Sequence, residues 1–249
     1  MRIRPGAPAD DREVSPAGRE TVTRVLRDVG RLGPYFTVAT GPAKAAGPPW
    51  RRLDALDPGE VRGLIAAYGR VLGTGEDRVA ASILFQGLAA RLWSPAVAAA
   101  ACGVVPDLAS LHWRWAPGAP IGLWLAEPSG WTAGDSAGLA RRVGRTVVGA
   151  HLRPLVETVG RAGRVAEGLL WGNAASALAG VLAVPIPRPE LSGPMSEIVR
   201  RLLDREPVLS GAGAWGPGNS FTRRSCCLYY RVPPGGAKCG DCVLLHPRR

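Results

Sequence analysis

Cys226-Cys227-Leu228-Tyr229-Tyr230-Arg231-Val232-Pro233-Pro234-Gly235-Gly236-Ala237-Lys238-Cys239-Gly240-Asp241-Cys242 holds two cysteine pairs separated by eleven residues. Cys102 is the only cysteine elsewhere, so the cluster is not a by-product of a cysteine-rich composition. In Cys239-Gly240-Asp241-Cys242 two intervening residues let one tight turn present both sulfurs to one centre. Gly240 lets the backbone come close to that centre. Adjacent cysteines are stranger: in an extended chain their side chains point to opposite faces, so they converge only through a local distortion. A single tetrahedral zinc takes its pairs from knuckles with two to four residues between cysteines. A two-iron group has a larger ligand shell and accommodates adjacent ligands more readily, and four thiolates match all-cysteine iron–sulfur ligation. Spacing alone leaves structural zinc and an iron–sulfur cluster both open. Between the pairs, residues 228–232 read as a strand. Pro234-Gly235 suits the centre of a type II turn that folds the second pair back on the first.

Other uses of four cysteines fit less well. A thioredoxin-like site needs its Cys-x-x-Cys to open a helix after a strand, and only seven residues follow Cys242. Disulfides are uncommon in the cytoplasm, where the chain is expected. The first residues carry no apolar stretch after their arginines, so no secretory signal is expected. The most apolar region, 79–105, is interrupted by Gln86, Arg91 and Pro95. It falls short of the roughly 18–20 clean residues that a membrane span requires. No membrane insertion is expected. The net charge of +11 comes from 31 basic residues, all arginine except Lys44 and Lys238. They are spread along the chain without a dense run, so no nucleic-acid partner is expected. There is no phosphate-binding glycine motif or dinucleotide fingerprint, so electrons are expected from outside the chain.

Upstream, helical periods dominate. Ser15-Pro16 reads as a helix start, with Val22, Val25, Leu26, Val29 and Leu32 on one face. Asp57-Pro58-Gly59-Glu60 opens a second helix in the manner of a capping box, broken at Gly73. A third is expected over 76–93, and a fourth from Ser94-Pro95 to near Gly103. Residues 108–115 and 121–126 read as an antiparallel strand pair with a five-residue loop. Helices follow over 136–159, kinked at Pro154, then 165–182 and 195–204, with 185–189 a stiff linker. The expected fold is α+β: a mainly helical body, 1–205, with a small strand pair, and a cluster-binding segment, 206–249.

The stretch from Asn219 to Cys242 resembles the C-terminal segment of the FhuF-type ferric-siderophore reductases, whose [2Fe–2S] cluster sits on Cys-Cys-x10-Cys-x2-Cys. The present loop is one residue longer, inside the Pro-Gly turn where an insertion costs little. Gly103–Leu108 and Leu170–Ser176 also resemble that family. The resemblance implies that Cys226, Cys227, Cys239 and Cys242 bind a [2Fe–2S] cluster. It further implies one-electron reduction of ferric siderophores in the cytoplasm for iron acquisition, fed by an external donor of ferredoxin or flavin-reductase type. The alternatives are a structural zinc knuckle on an interaction protein, or an iron–sulfur electron-transfer or sensor module without siderophore reduction.

Other residues carry secondary expectations. Arg223, Arg224 and Arg231 read either as groups that raise the cluster potential and attract an anionic ferric complex or acidic donor, or as a solvated basic surface. Tyr229 and Tyr230 read as strand packing rather than lining for the approach to the cluster. Trp113, Trp115 and Trp124 read as strand-pair core before an aromatic wall for a siderophore. Asn173 reads as a helix-start or buried hydrogen-bonding residue before one that orients the tail or a ligand. Cys102 reads as a buried small residue rather than a fifth ligand. His112, His151 and His246 lack metal-ligand spacing to one another, and His246 lies near enough to Cys242 for an outer-shell role.

Overall fold

A single 25-residue helix, α3 (Asp77–Ala101), runs through the centre of the molecule, and the other helices are laid against it. The computed structural model describes residues 14–42, 47–217 and 220–245. By length and composition α3 could cross a membrane, but 78% of its most apolar window is buried inside the protein. It is the core helix. The expected break at Ser94-Pro95 does not occur: both residues are buried inside α3. Ser94 Oγ donates to the Ala90 carbonyl at 2.8 Å, and the Trp93 indole N–H reaches Ala174 O at 3.1 Å. Packing on every side outweighs the one backbone donor that proline removes.

The other helices are α1 (Arg19–Gly30), α2 (Pro58–Leu72), α4 (Ser136–Val143), α5 (Arg153–Gly163), α6 (Glu167–Gly180) and α7 (Ser192–Arg205). α2 begins as its sequence predicts. The Asp57 carboxylate accepts from Gly59 N (2.6 Å) and Glu60 N (3.1 Å), and Pro58 occupies the first turn. Gly73 ends it at φ 68°, a conformation glycine adopts without a Cβ penalty. Glu60 instead pairs with Arg51 (3.0 Å). Between α4 and α5 the chain stays helical through a wider π-wound stretch, Gly144–Leu152, and Pro154 falls in the first turn of α5. Pro189–Leu191 forms a short turn leading into α7, and Ile186 packs on the core, so 185–189 is no free spacer.

Ser15-Pro16 does not start α1. These residues lie in strand β1 (Val14–Ala17), and the helix begins at Arg19 after Gly18. Proline is tolerated there because β1 is an edge strand. β1 pairs antiparallel with β7 (Gly130–Ala133), which pairs antiparallel with β4 (Val104–Pro106). The expected pair is present as β5 (His112–Arg114) and β6 (Gly122–Leu125), with Trp113 opposite Leu123. It is extended by β2 (Ala39–Thr40) and β3 (Arg51–Arg52) to the order β2-β6-β5-β3. The architecture is α+β. A hairpin, β8 (Gly213–Trp215) with β9 (Phe221–Arg223), delivers the chain to the cysteines. Leu209 and Phe221 belong to the same apolar core as the helices.

Candidate metal centre

β9 ends at Arg223, and three residues later the cysteines begin. Residues 228–232 are not a strand: Tyr229–Arg231 is a single tight helical turn entered through Leu228 at φ 67°. No neighbouring strand offers a ladder, so the apolar side chains dock instead, Leu228 and Val232 packing on Val79 of α3. The left-handed Leu228 is the distortion that adjacent cysteines require: its N–H turns back toward Cys226 Sγ at 3.4 Å. The reversal that follows differs from a type II turn on Pro234-Gly235. Gly235 N donates to Val232 O (3.1 Å) across Pro233-Pro234, whose peptide bond is cis. Cys242 N closes the second turn on Cys239 O (3.0 Å).

The result is that Cys227 and Cys239, twelve residues apart, have their sulfurs 3.6 Å apart, and Cys227 and Cys242 lie near enough to Cys226 to add to the rise that burial gives its thiol. Cys227 and Cys242 are buried; Cys226 and Cys239 are half-buried. Burial pushes the thiols of Cys226 and Cys239 above their ordinary pKa. Among the described residues no three His, Cys, Asp or Glu side chains gather around one point as a single-ion site would need. The thiols lie spread over two turns. Cys102 caps the far end of α3, twenty residues or roughly 30 Å of helix from Ser82, and plays no part here.

Both turns are held from beneath by one buried polar network. Arg223 is 1% exposed, which overturns its reading as a solvated surface group. Its Nε donates to Asp241 Oδ2 (2.9 Å), its Nη1 to Asn173 Oδ1 (2.7 Å) and its Nη2 to Ser176 Oγ. Asn173 Nδ2 donates to both Ser82 O and Ser82 Oγ (2.9 Å each), and Ser82 Oγ donates to Cys227 O (2.6 Å). Arg223 N also bonds Asp241 O (3.0 Å), so β9, α3, α6 and both cysteine turns are tied together. Burial opposes the Asp241 charge, but the Arg223 guanidinium beside it, with Ser176, holds its carboxyl below the usual range. Asn173 lies in the middle of α6, not at its start, and it is a buried hydrogen-bonding residue that meets the cysteine segment through Ser82 and Arg223. Sequence reasoning missed Ser82, an ordinary serine on an apolar helix.

Gly172 explains the rest of the Leu170–Ser176 motif. A Cβ there would stand 1.9 Å from Ser225 Oγ, so glycine lets α6 carry the loop that precedes the cysteines without turning the Ser225 hydroxyl away. Ser225 Oγ is buried without a hydrogen-bond partner among the described residues, beside Cys226. An unpartnered hydroxyl on the residue before Cys226 fits an iron–sulfur group, whose sulfur atoms accept hydrogen bonds.

The remaining expectations separate. Arg231 makes a two-point pair with Glu76 at the start of α3 (3.1 and 2.9 Å), while Arg224 is exposed. Tyr229 and Tyr230 are not packed: they are 39% and 42% exposed. Trp113 is core. Trp115 and Trp124, with Trp50, line a cavity of about 510 Å³ in the four-stranded sheet that no residue of 220–245 borders. His112 stacks on Trp124, with ring centroids 4.7 Å apart, and His151 is buried with Nε2 2.8 Å from Leu108 O. Neither histidine is near a cysteine turn, and His246 lies outside the described residues.

No curated protein and no solved structure matches the chain. Two family models do. One, described as a ferric iron reductase FhuF-like transporter, matches residues 64–213, more than half of the chain. The other, the FhuF 2Fe-2S C-terminal domain, matches residues 223–244, from the buried arginine through the last cysteine, and it decides the cofactor in favour of iron–sulfur over zinc. α3, α6 and the two cysteine turns therefore belong to a member of the FhuF-like ferric iron reductase family that carries its 2Fe–2S domain at residues 223–244.

Proposed function

We propose that Cys226, Cys227, Cys239 and Cys242 ligate the [2Fe–2S] cluster and that the protein reduces siderophore-bound ferric iron to Fe(II) in the cytoplasm. The observation that carries this reading is the spread of four cysteines over two turns fixed by one buried network, in the segment matched as a 2Fe–2S domain. The cluster, when bound, supplies single electrons at a potential set by charge, hydrogen bonds and solvent exposure. Siderophores hold Fe(III) through hard oxygen ligands and Fe(II) far less well, so one electron loosens the metal.

The chain's own residues have separable tasks. Arg223 and Asp241 set the second turn on the end of β9, and Ser82 sets the first through Cys227 O. Burial of Cys227 and Cys242 keeps water from part of the site, while half-buried Cys226 and Cys239 leave a route for electrons. In this reading residues 1–205 form the siderophore-facing body and 206–249 the cluster segment. The donor is an external ferredoxin- or flavin-reductase-type protein.

The test begins with protein purified without oxygen. About two iron and two sulfide per chain, without zinc, and a visible spectrum that bleaches with dithionite are the expected results. Reduced protein mixed with ferric siderophore then yields Fe(II), trapped by a ferrous chelator. Bleaching with no acceleration of Fe(II) release from any ferric siderophore would select the electron-transfer or sensor reading instead.

A further inference from the structure

The Cys239–Cys242 turn borders a cleft of about 660 Å³ between α3 and the C-terminal end of α6, within the size range of small-molecule sites. Its walls are cut back by small side chains, Ala90 on α3 and Ala177 and Ala183 at the end of α6. Gln86 and Tyr35 supply an amide and a phenol. Gly240 and Asp241, the two residues between the cysteines, form one side.

No protein atom explains why residue 240 is glycine. Its φ lies outside the positive range, and a Cβ built on it would meet no protein atom within 4 Å. This is the opposite of Gly172, where a Cβ would collide. The missing side chain keeps open the short path from the second cysteine turn into the cleft. Neither Arg224 nor Arg231 borders the cleft, and its one carboxylate, Asp241, is already paired with Arg223. The tryptophan-lined cavity offers aromatic walls but touches no part of the cysteine segment.

We propose that the ferric complex docks in this cleft, over Gly240, and receives its electron there. The assignment rests on the reading of the cysteines as cluster ligands and of ferric siderophores as acceptors. The step balances as one electron leaving the reduced centre and Fe(III) becoming Fe(II), with the external donor restoring the electron.

The test uses full-length, cluster-loaded protein, with trishydroxamate and triscatecholate siderophores as their iron(III) complexes and as redox-inert gallium(III) complexes. Ala183→Trp plugs the cleft from an exposed position, and Ala119→Trp is a matched plug at the tryptophan cavity. Ala183→Trp is expected to weaken gallium-complex binding and raise KM for the iron complex by about tenfold or more. Iron and sulfide content and midpoint potential stay unchanged. Ala119→Trp is expected to change binding less than about twofold. As a second variant, Gly240→Ala is expected to slow electron transfer at unchanged cluster content. Wild-type binding and reduction that survive Ala183→Trp, or fall with Ala119→Trp, overturn the cleft and leave the reductase reading standing. Loss of cluster in Gly240→Ala would assign that glycine to cluster assembly and overturn its role as docking floor. Wild-type protein that neither binds nor reduces any of these complexes overturns both.

Discussion

Two arginines are buried among the described residues, and they are satisfied in opposite ways. Arg91, on α3, has no carboxylate: its guanidinium donates to four backbone carbonyls, Ile121 O (2.7 Å), Pro34 O and Thr37 O (2.6 Å each) and Tyr35 O. Burial lowers its pKa to about 10, so it stays charged at neutral pH. The Arg223 guanidinium donates only to side chains, those of Asp241, Asn173 and Ser176. A knot tied to main-chain carbonyls fixes where loops run, and almost any sequence in those loops would serve. A knot tied to three particular side chains fixes the second cysteine turn directly and the first through Asn173 and Ser82. The first is a device of folding; the second bears on the metal site.

The sharpest way to break the contrast is to remove each arginine. Arg223→Leu strands a half-buried Asp241 carboxylate; breaking a fully buried pair costs about 3–5 kcal/mol, and partial exposure brings this one toward or below the lower end. The variant is expected to purify with most of its iron and sulfide missing, read by metal assay and visible spectrum. Arg91→Met leaves buried carbonyls without donors, at about 1–3 kcal/mol each before water intrudes. Its denaturation midpoint should fall by roughly 3 kcal/mol equivalent while its cluster spectrum stays that of the wild type. If Arg91→Met loses the cluster and Arg223→Leu keeps it, the division of labour is reversed.

A smaller effect comes from His151. Burial holds its pKa below the ordinary value, against Leu108 O, Asp54 and Asp107, which favour the charged ring. Its Nδ1 is buried without a partner among the described residues, so a second proton has nowhere to bond. The unfolded chain therefore binds that proton more readily. This contribution to stability is full above the unfolded pKa of about 6.5 and is lost as pH falls below it, by at most about 1.4 kcal/mol per pH unit. His151→Gln should flatten the dependence of the urea midpoint between pH 7 and pH 5. The smallest change is expected from Ser225→Ala: normal cluster content, with a midpoint potential lowered by less than about 59 mV, the one-electron equivalent of tenfold. An unchanged potential would remove the Ser225 hydroxyl from the site.

What was legible in the sequence follows the same line between local and distant causes. Asp57-Pro58 and Gly73 announce the ends of α2 because capping is settled within four residues. The cysteine spacing announces a metal centre for the same reason. Pro95 misleads, since only the surroundings of α3 reveal that the helix continues through it. β1, β4 and β7 are three or four residues long and meet from 14–17, 104–106 and 130–133, so no window contains their pairing. Residues 228–232 have strand composition but no strand to pair with. Arg223 looks like surface until α6 places Asn173 and Ser176 around it, and nothing in the sequence sets Ser82 apart from other serines.

The hydrogen bond from Ser82 to Cys227 O joins residues 145 apart, and Asn173 precedes Cys226 by more than fifty residues. During translation the receptacle for the cysteine turns is therefore synthesised well before the turns themselves. Ser82 and Asn173 are on the chain before the sulfurs are. Yet the network that seats the cysteines is completed only when Arg223, three residues before Cys226, joins the two helices, so seat and sulfurs are finished together.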